Sequence, residues 1–168
     1  MMEMKLRWIA LYVENTVGVL SKVSGLFSGK SYNLGSLTVG VTEDETVSRM
    51  TISVESDDVT FEQIKKQLNR MVEVIKVIDI TDVPMHLKEI LFAKVKKCTP
   101  EDKAEVFRVA QTFRVKVVDM GEDSVLLECL LPVRRNNELI VYLKSHFKAV
   151  EIIRGGAVAA ESISTSCR

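Results

Sequence analysis

The order in which hydrophobic periodicity changes along the chain most constrains its fold. Apolar residues repeat every second position along a half-buried strand and every third or fourth along a helix, so the period identifies the element. From the N-terminus the order is strand, helix, strand, strand, helix, strand, and from Glu89 it begins again. Trp8 to Val13 places Trp8, Ala10 and Tyr12 on one face and Ile9, Leu11 and Val13 on the other, so this strand should be covered on both sides. Asn15, Thr16 and Gly18 break it, and Val19, Leu20, Val23, Leu26 and Phe27 recur at helical spacing to about Ser28. From Leu34 to Val41, Leu37, Val39 and Val41 alternate with Ser36, Thr38 and Gly40. A polar turn, Thr42 to Thr46, leads to a strand alternating Ser48, Met50, Ile52 and Val54 with Arg49, Thr51 and Ser53, which predicts an antiparallel hairpin. Thr60 and Gln63 have capping-box spacing before an apolar stripe of Phe61, Ile64, Leu68 and Met71 that ends near Val72, and Val74 to Ile80 closes the unit.

After a short joint, Asp82 to His86, the second round runs through a strand at Ile90 to Val95 and a helix capped by Thr99 with Pro100 in its first position. Strands at Val115 to Asp119 and Ser124 to Leu131 flank a Gly121-Glu122-Asp123 turn; Leu139, Ile140, Leu143 and Phe147 mark the last helix, and Val150 to Ile153 the last strand. The tail from Gly155 is small and serine-rich, so fraying is expected beyond about Ala160. The fold class implied is α+β, two tandem ferredoxin-like βαββαβ domains spanning residues 1–83 and 84–168. In such a unit both helices lie on one face of the sheet. The doubly apolar first strand therefore predicts that the bare face meets another domain or a second copy.

Composition removes several function classes. Lys plus Arg and Asp plus Glu number 23 each, so no global positive field gathers nucleic acid or an anionic membrane. The cysteines, Cys98, Cys129 and Cys167, fit neither a disulfide framework nor a paired zinc site, and read as reduced cytosolic thiols. The apolar run at Trp8 to Val13 is too short for a signal sequence or a membrane span. A cytoplasmic protein is expected.

A catalyst should present a nucleophile with a base, placed carboxylates, a metal cluster or a phosphate loop. None is evident: His86 and His146 are isolated, the glycines match neither dinucleotide nor triphosphate loops, and Lys94, Lys96 and Lys97 read as a solvated strand end. The segment Asn15, Thr16, Val17, Gly18, Val19, Leu20 differs, because it lies where a strand turns into a helix and free N–H groups meet the positive dipole end. That arrangement suits a carboxylate, with Asn15 and Asn33 offering both donor and acceptor to a zwitterion. On spacing alone, Asn15 or Thr16 as an ordinary N-cap and Gly18 as a turn residue is the favoured reading over a ligand site.

The stretch from Glu14 to Val54, with N-x-x-G-x-L at Asn15, V-x-G-L-F in the first helix, Tyr32-Asn33, S-L-T-V and S-R-M-T, resembles the amino-acid-binding ACT domain of the acetolactate synthase small regulatory subunit family. The resemblance runs from about Trp8 to Ile80; the second half agrees in size and element order with that family's C-terminal domain. It implies a non-catalytic homodimer joined through the ACT domains that activates a large catalytic subunit and confers valine feedback in branched-chain amino acid synthesis. Thiamine diphosphate, Mg and FAD are then expected in the large subunit and no cofactor in this chain. It further implies that valine meets Asn15 to Leu20 of one chain and Asn33 and Leu34 of the other, with Gly40 on the strand lining the pocket. Ser31, where the family usually has Gly, and Gly35, where an acidic residue is common, depart from the pattern. The alternatives are another amino-acid-sensing ACT regulator, or an RNA-binding βαββαβ module. The latter needs an aromatic, basic sheet face, and the third strand supplies only Arg49.

Overall fold

The computed structural model describes residues 3–30 and 32–165. Ser31 and Cys167, noted in the sequence, lie outside the described residues. The chain forms β1 (Lys5–Glu14), α1 (Val19–Gly29), β2 (Leu34–Val41), β3 (Val47–Ser56), α2 (Asp58–Leu68) and β4 (Val74–Asp79). It continues as β5 (Met85–Lys96), α3 (Pro100–Phe113), β6 (Lys116–Met120), β7 (Ser124–Leu131), α4 (Val133–His146) and β8 (Ala149–Glu161). The two expected βαββαβ units are present as two four-stranded sheets, ordered β2-β3-β1-β4 and β6-β7-β5-β8. The compact units are Met1–His86 with Ala159–Arg168, and Leu87–Val158.

In the first unit, antiparallel pairing sets Leu11 against Met50 and Ile9 against Ile52, while β2 sets Leu37 against Ile52. Paired residues share a face, so Ile9, Leu11, Val13, Met50 and Ile52 point to the helix side and pack with Val23, Phe27, Ile64 and Leu68. Each fully buried Leu or Ile contributes about 1.5–3 kcal/mol. The other face carries Ala10, Thr51 and Ser53, also buried, next to Arg49. Part of its cover is the chain's own tail, because Arg49 Nη1 donates to the Ala159 carbonyl at 2.7 Å and 159–165 belong to this unit. The second unit encloses Leu91, Val95, Val106, Leu127, Leu139 and Leu143.

Several boundaries differ from the periodicity; besides β5, which starts at Met85 inside the expected joint rather than at Ile90, three matter here. The cap of α2 is Asp57, whose carboxylate accepts from the Thr60 N–H at 2.8 Å, three residues ahead of the capping box expected at Thr60. An ionised N-cap satisfies an orphan donor and opposes the dipole, so the earlier start is favoured. That helix ends at Leu68 rather than near Val72, since turn bonds from Met71 to Leu68 and from Val74 to Met71 replace the helical ladder while Met71 stays against the core. Third, β8 runs well past Ile153 to Glu161, and Ser162 N–H donates to the Pro84 carbonyl at 2.9 Å, so the tail is held beyond the point of expected fraying.

Candidate functional site

The site begins where β1 stops. Glu14 N–H donates to the Glu73 carbonyl at 2.9 Å, which ends the pairing with β4, and the chain turns through residues 15–18 into α1. Asn15 is tied twice to the β2–β3 turn and once to the start of β3: its N–H donates to the Thr46 carbonyl at 2.7 Å, its Nδ2 to the Glu45 carbonyl at 2.9 Å, and its Oδ1 accepts from Ser48 Oγ at 3.1 Å. An amide side chain has two N–H groups and two main lone pairs, so these contacts use one of each. The turn is itself held by Asp44, whose carboxylate accepts from the Thr46 hydroxyl at 2.6 Å and N–H at 2.9 Å. Those bonds, the hydroxyl's first, hold the Asp44 carboxyl below its ordinary range.

The N-cap of α1 is Gly18, not Asn15 or Thr16, with φ at +90°, a left-handed value that favours glycine. No side chain caps the helix, no acidic residue lies in its first turn, and its ladder starts with Lys22 N–H to the Gly18 carbonyl at 3.0 Å. Leu20 and Ser21 in the first turn thus present N–H groups without a side-chain cap, beside the positive end of the dipole. A Cβ built on Gly18 meets nothing within 4 Å, so the space in front of this turn is open. Lys22 is paired with Glu73, whose carboxyl that bond holds low, and this fastens the first turn to the residues before β4. Of the six residues expected in the loop, Val19 is instead in the core at 3% exposure, while Asn15, Thr16 and Gly18 are exposed, Val17 fully so, and Leu20 is 44% exposed.

Asn33, Leu34 and Gly40 fall elsewhere in the same chain. Leu34 pairs with Val54, which is level with Arg7 at the start of β1, whereas the loop follows the end of β1. Eight residues of strand separate Arg7 from Asn15, roughly 26 Å at 3.3 Å per residue. Asn33, exposed, and Leu34, half-buried against the core, therefore do not meet the Asn15 loop of their own chain. Gly40 pairs with Arg49 near the other end of β2, on the loop's end of the sheet. The neighbouring Val39 and Val41 are 47% and 57% exposed on the helix-side face of this edge strand.

Sequence reasoning did not find Ser48, a buried hydroxyl on β3, because its partner lies 33 residues away. It also missed the Glu89, Asn136 and Arg154 cluster of the second unit, whose members are scattered over β5, α4 and β8. Cys98 and Cys129 are buried, and burial pushes the Cys129 thiol up to about 11. Among the described residues no group of three or more His, Cys, Asp or Glu gathers as a metal site, and no helix is long and apolar enough to cross a membrane.

Residues 9–76 match the model of the AHAS small subunit-like ACT domain, and residues 88–163 that of the small subunit of acetolactate synthase. The acetolactate synthase small subunit of Aquifex aeolicus is 40% identical over 90% of this chain and 78% of its own length. That of Haemophilus influenzae is 36% identical over 91% of this chain and 93% of its own. Among solved structures, the acetolactate synthase small subunit of Thermotoga maritima superposes with a TM-score of 0.84 at 34% identity, over 94% of this chain and 98% of that one. With both units matched and relatives aligned along nearly its whole length, the chain belongs to the acetolactate synthase small-subunit family.

Proposed function

We propose that this chain is a non-catalytic, cytoplasmic regulatory subunit that activates the large catalytic subunit of acetolactate synthase and lowers that activity when valine binds. The chemistry on pyruvate, with thiamine diphosphate, Mg and FAD, belongs to the large subunit. The chain contributes no cofactor and takes neither nucleic acid nor membrane as partner. The observation that carries the reading is the uncapped first turn of α1, led by the left-handed Gly18 and flanked by Asn15 with half of its amide unused. A carboxylate suits the bare N–H groups, and the remaining acceptor of Asn15 suits an ammonium group. The dipole contributes only about 0.3–1 kcal/mol, or about 2 when partly buried, so side chains must supply the rest of the recognition.

Topology supports a homodimer as the form that binds. β2 is an edge strand of its sheet and carries the exposed Val39 and Val41. Two copies pairing β2 edge to edge, antiparallel about a twofold axis, bring the Asn33 end of one strand to the Val41 end of the other. That end adjoins the Asn15 loop, because β1 and β2 both run antiparallel to β3 and so run parallel to each other. Such a dimer completes the site from two chains, with the exposed Val17 and Leu20 available to an aliphatic side chain. The test is Gly18→Asp with the large subunit: the new carboxylate occupies the anion position, so valine inhibition is lost while activation is retained. Normal valine inhibition of a folded, activating variant contradicts the site.

A further inference from the structure

We infer that Ser48 is a positioning residue for the effector: through the Asn15 amide it holds the loop that meets the ligand, and the β2–β3 turn acts as the brace of that loop. This rests on the reading of the Asn15 loop as the effector site. Ser48 is 5% exposed, and its hydroxyl donates to Asn15 Oδ1 at 3.1 Å, while Asn15 Nδ2 donates to the Glu45 carbonyl at 2.9 Å. A carbonyl can only accept, so the Glu45 contact selects the face of the amide that carries the NH2 group. Ser48 then holds the oxygen on the other side. One N–H and one lone pair of Asn15 are left in fixed directions, a donor for a carboxylate and an acceptor for an ammonium group, the two charged groups of an amino acid.

The arrangement separates ligand binding from stability. Asn15 is exposed, so water can replace the Ser48 hydroxyl at its oxygen, and removing that hydroxyl leaves no buried acceptor stranded. What is lost is the second of the two bonds that fix the amide; the Glu45 carbonyl still selects the NH2 side, but the side chain held by that bond alone moves more widely and must be ordered when the ligand arrives. The turn keeps its own support from Asp44 and Thr46, so the backbone bond from Asn15 to Thr46 survives. Sequence spacing hides this link, since Ser48 reads as one more inward position of an alternating strand.

The experiment is calorimetry of valine binding to the full-length chain, parent, Ser48→Ala and Ser48→Thr, with nuclear magnetic resonance of the Asn15 side-chain amide in the same samples. Ser48→Ala should weaken valine by roughly 3- to 10-fold, the worth of one net hydrogen bond. Its thermal midpoint should stay within about 2 °C of the parent. Its Asn15 NH2 signals should move and exchange faster, and Ser48→Thr, which restores a hydroxyl, should recover both readouts. Parent-like valine affinity in Ser48→Ala, with the Asn15 signals unmoved, overturns the assignment. A parent that binds no valine sinks the effector reading instead, and the brace is then decided by the amide signals alone: altered signals in Ser48→Ala support it and unchanged ones refute it.

Discussion

At the scale of single residues, the candidate site divides into what spacing can announce and what it cannot. Gly18 was legible as a break between strand and helix, and its φ of +90° explains why glycine stands there. Asn15 was legible as an amide at a helix start, but its role as a cap was a fair competing reading that only geometry could remove. Its side chain turns back to Glu45 and Ser48 instead of forward over the helix. At Gly35 pairing slips between Leu34 and Ser36, and a Cβ there would lie 2.8 Å from Ser53 Oγ, a side-chain tip that would have to shift. Asn33 lies at the far end of the sheet from Asn15, so its proposed role in the site depends wholly on a second chain. Asn33→Ala should therefore weaken valine by about 5-fold or more in calorimetry, the loss of a ligand hydrogen bond, with its thermal midpoint without valine unchanged. Parent-like affinity removes Asn33 from the site.

At the scale of elements, type and order were readable because each hydrophobic stripe must face a core, whereas ends depend on individual hydrogen bonds. The start of α3 was legible to the residue: Thr99 and Asp102 cap each other, with Pro100 following the cap. The length of β8 was not, since Gly155, Gly156 and the alanines beyond them carry little strand propensity and are held by their neighbours. At Gly155 a Cβ would lie 2.5 Å from Ile90 Cγ2, so the glycine admits the close approach of β5. Next to it, Arg154 meets the buried Glu89 through two bonds of 2.8 Å, and Asn136 Nδ2 donates to the same carboxylate at 3.0 Å. Burial alone would raise the Glu89 carboxyl, but the bonds from Arg154 and Asn136 outweigh it and hold it low. Because the folded value lies below the unfolded one of about 4.3, this stabilisation is complete above the unfolded value and is lost as pH falls through the folded value. Glu89→Gln should thus lower stability at pH 7 by about 1–3 kcal/mol, reduced from a fully buried pair because the Arg154 side chain is 39% exposed. The same change should flatten the fall of the thermal midpoint as pH drops below the range in which a free carboxylate titrates. A variant whose midpoint tracks the parent's through that fall contradicts the assignment.

At the scale of the whole molecule, the duplicated architecture was the most legible property, since the same order of periodicities occurs twice. The cover over the bare face of the first sheet was anticipated, but the part supplied by the chain's own tail was not. That contact joins Arg49 to Ala159 across 110 residues, beyond the reach of any local pattern. The proposed regulatory form adds a second chain along β2, where Val39 sits exposed on the edge. Val39→Lys places a charge there, a known way of blocking edge pairing, and should yield a folded monomer with weakened valine binding, checked by sedimentation and circular dichroism. A dimer that persists unchanged in this variant argues for another interface. Linkage ties ligand to assembly: a ligand that binds only the dimer stabilises it by about 2.7 kcal/mol per site at one hundred times its dissociation constant. The most direct measurement is therefore sedimentation velocity of the chain near its dimer dissociation constant, without and with saturating valine. Valine should drive a shift from monomer to dimer; a distribution that valine leaves unmoved, or a chain that stays monomeric throughout, would contradict a valine site shared by two chains.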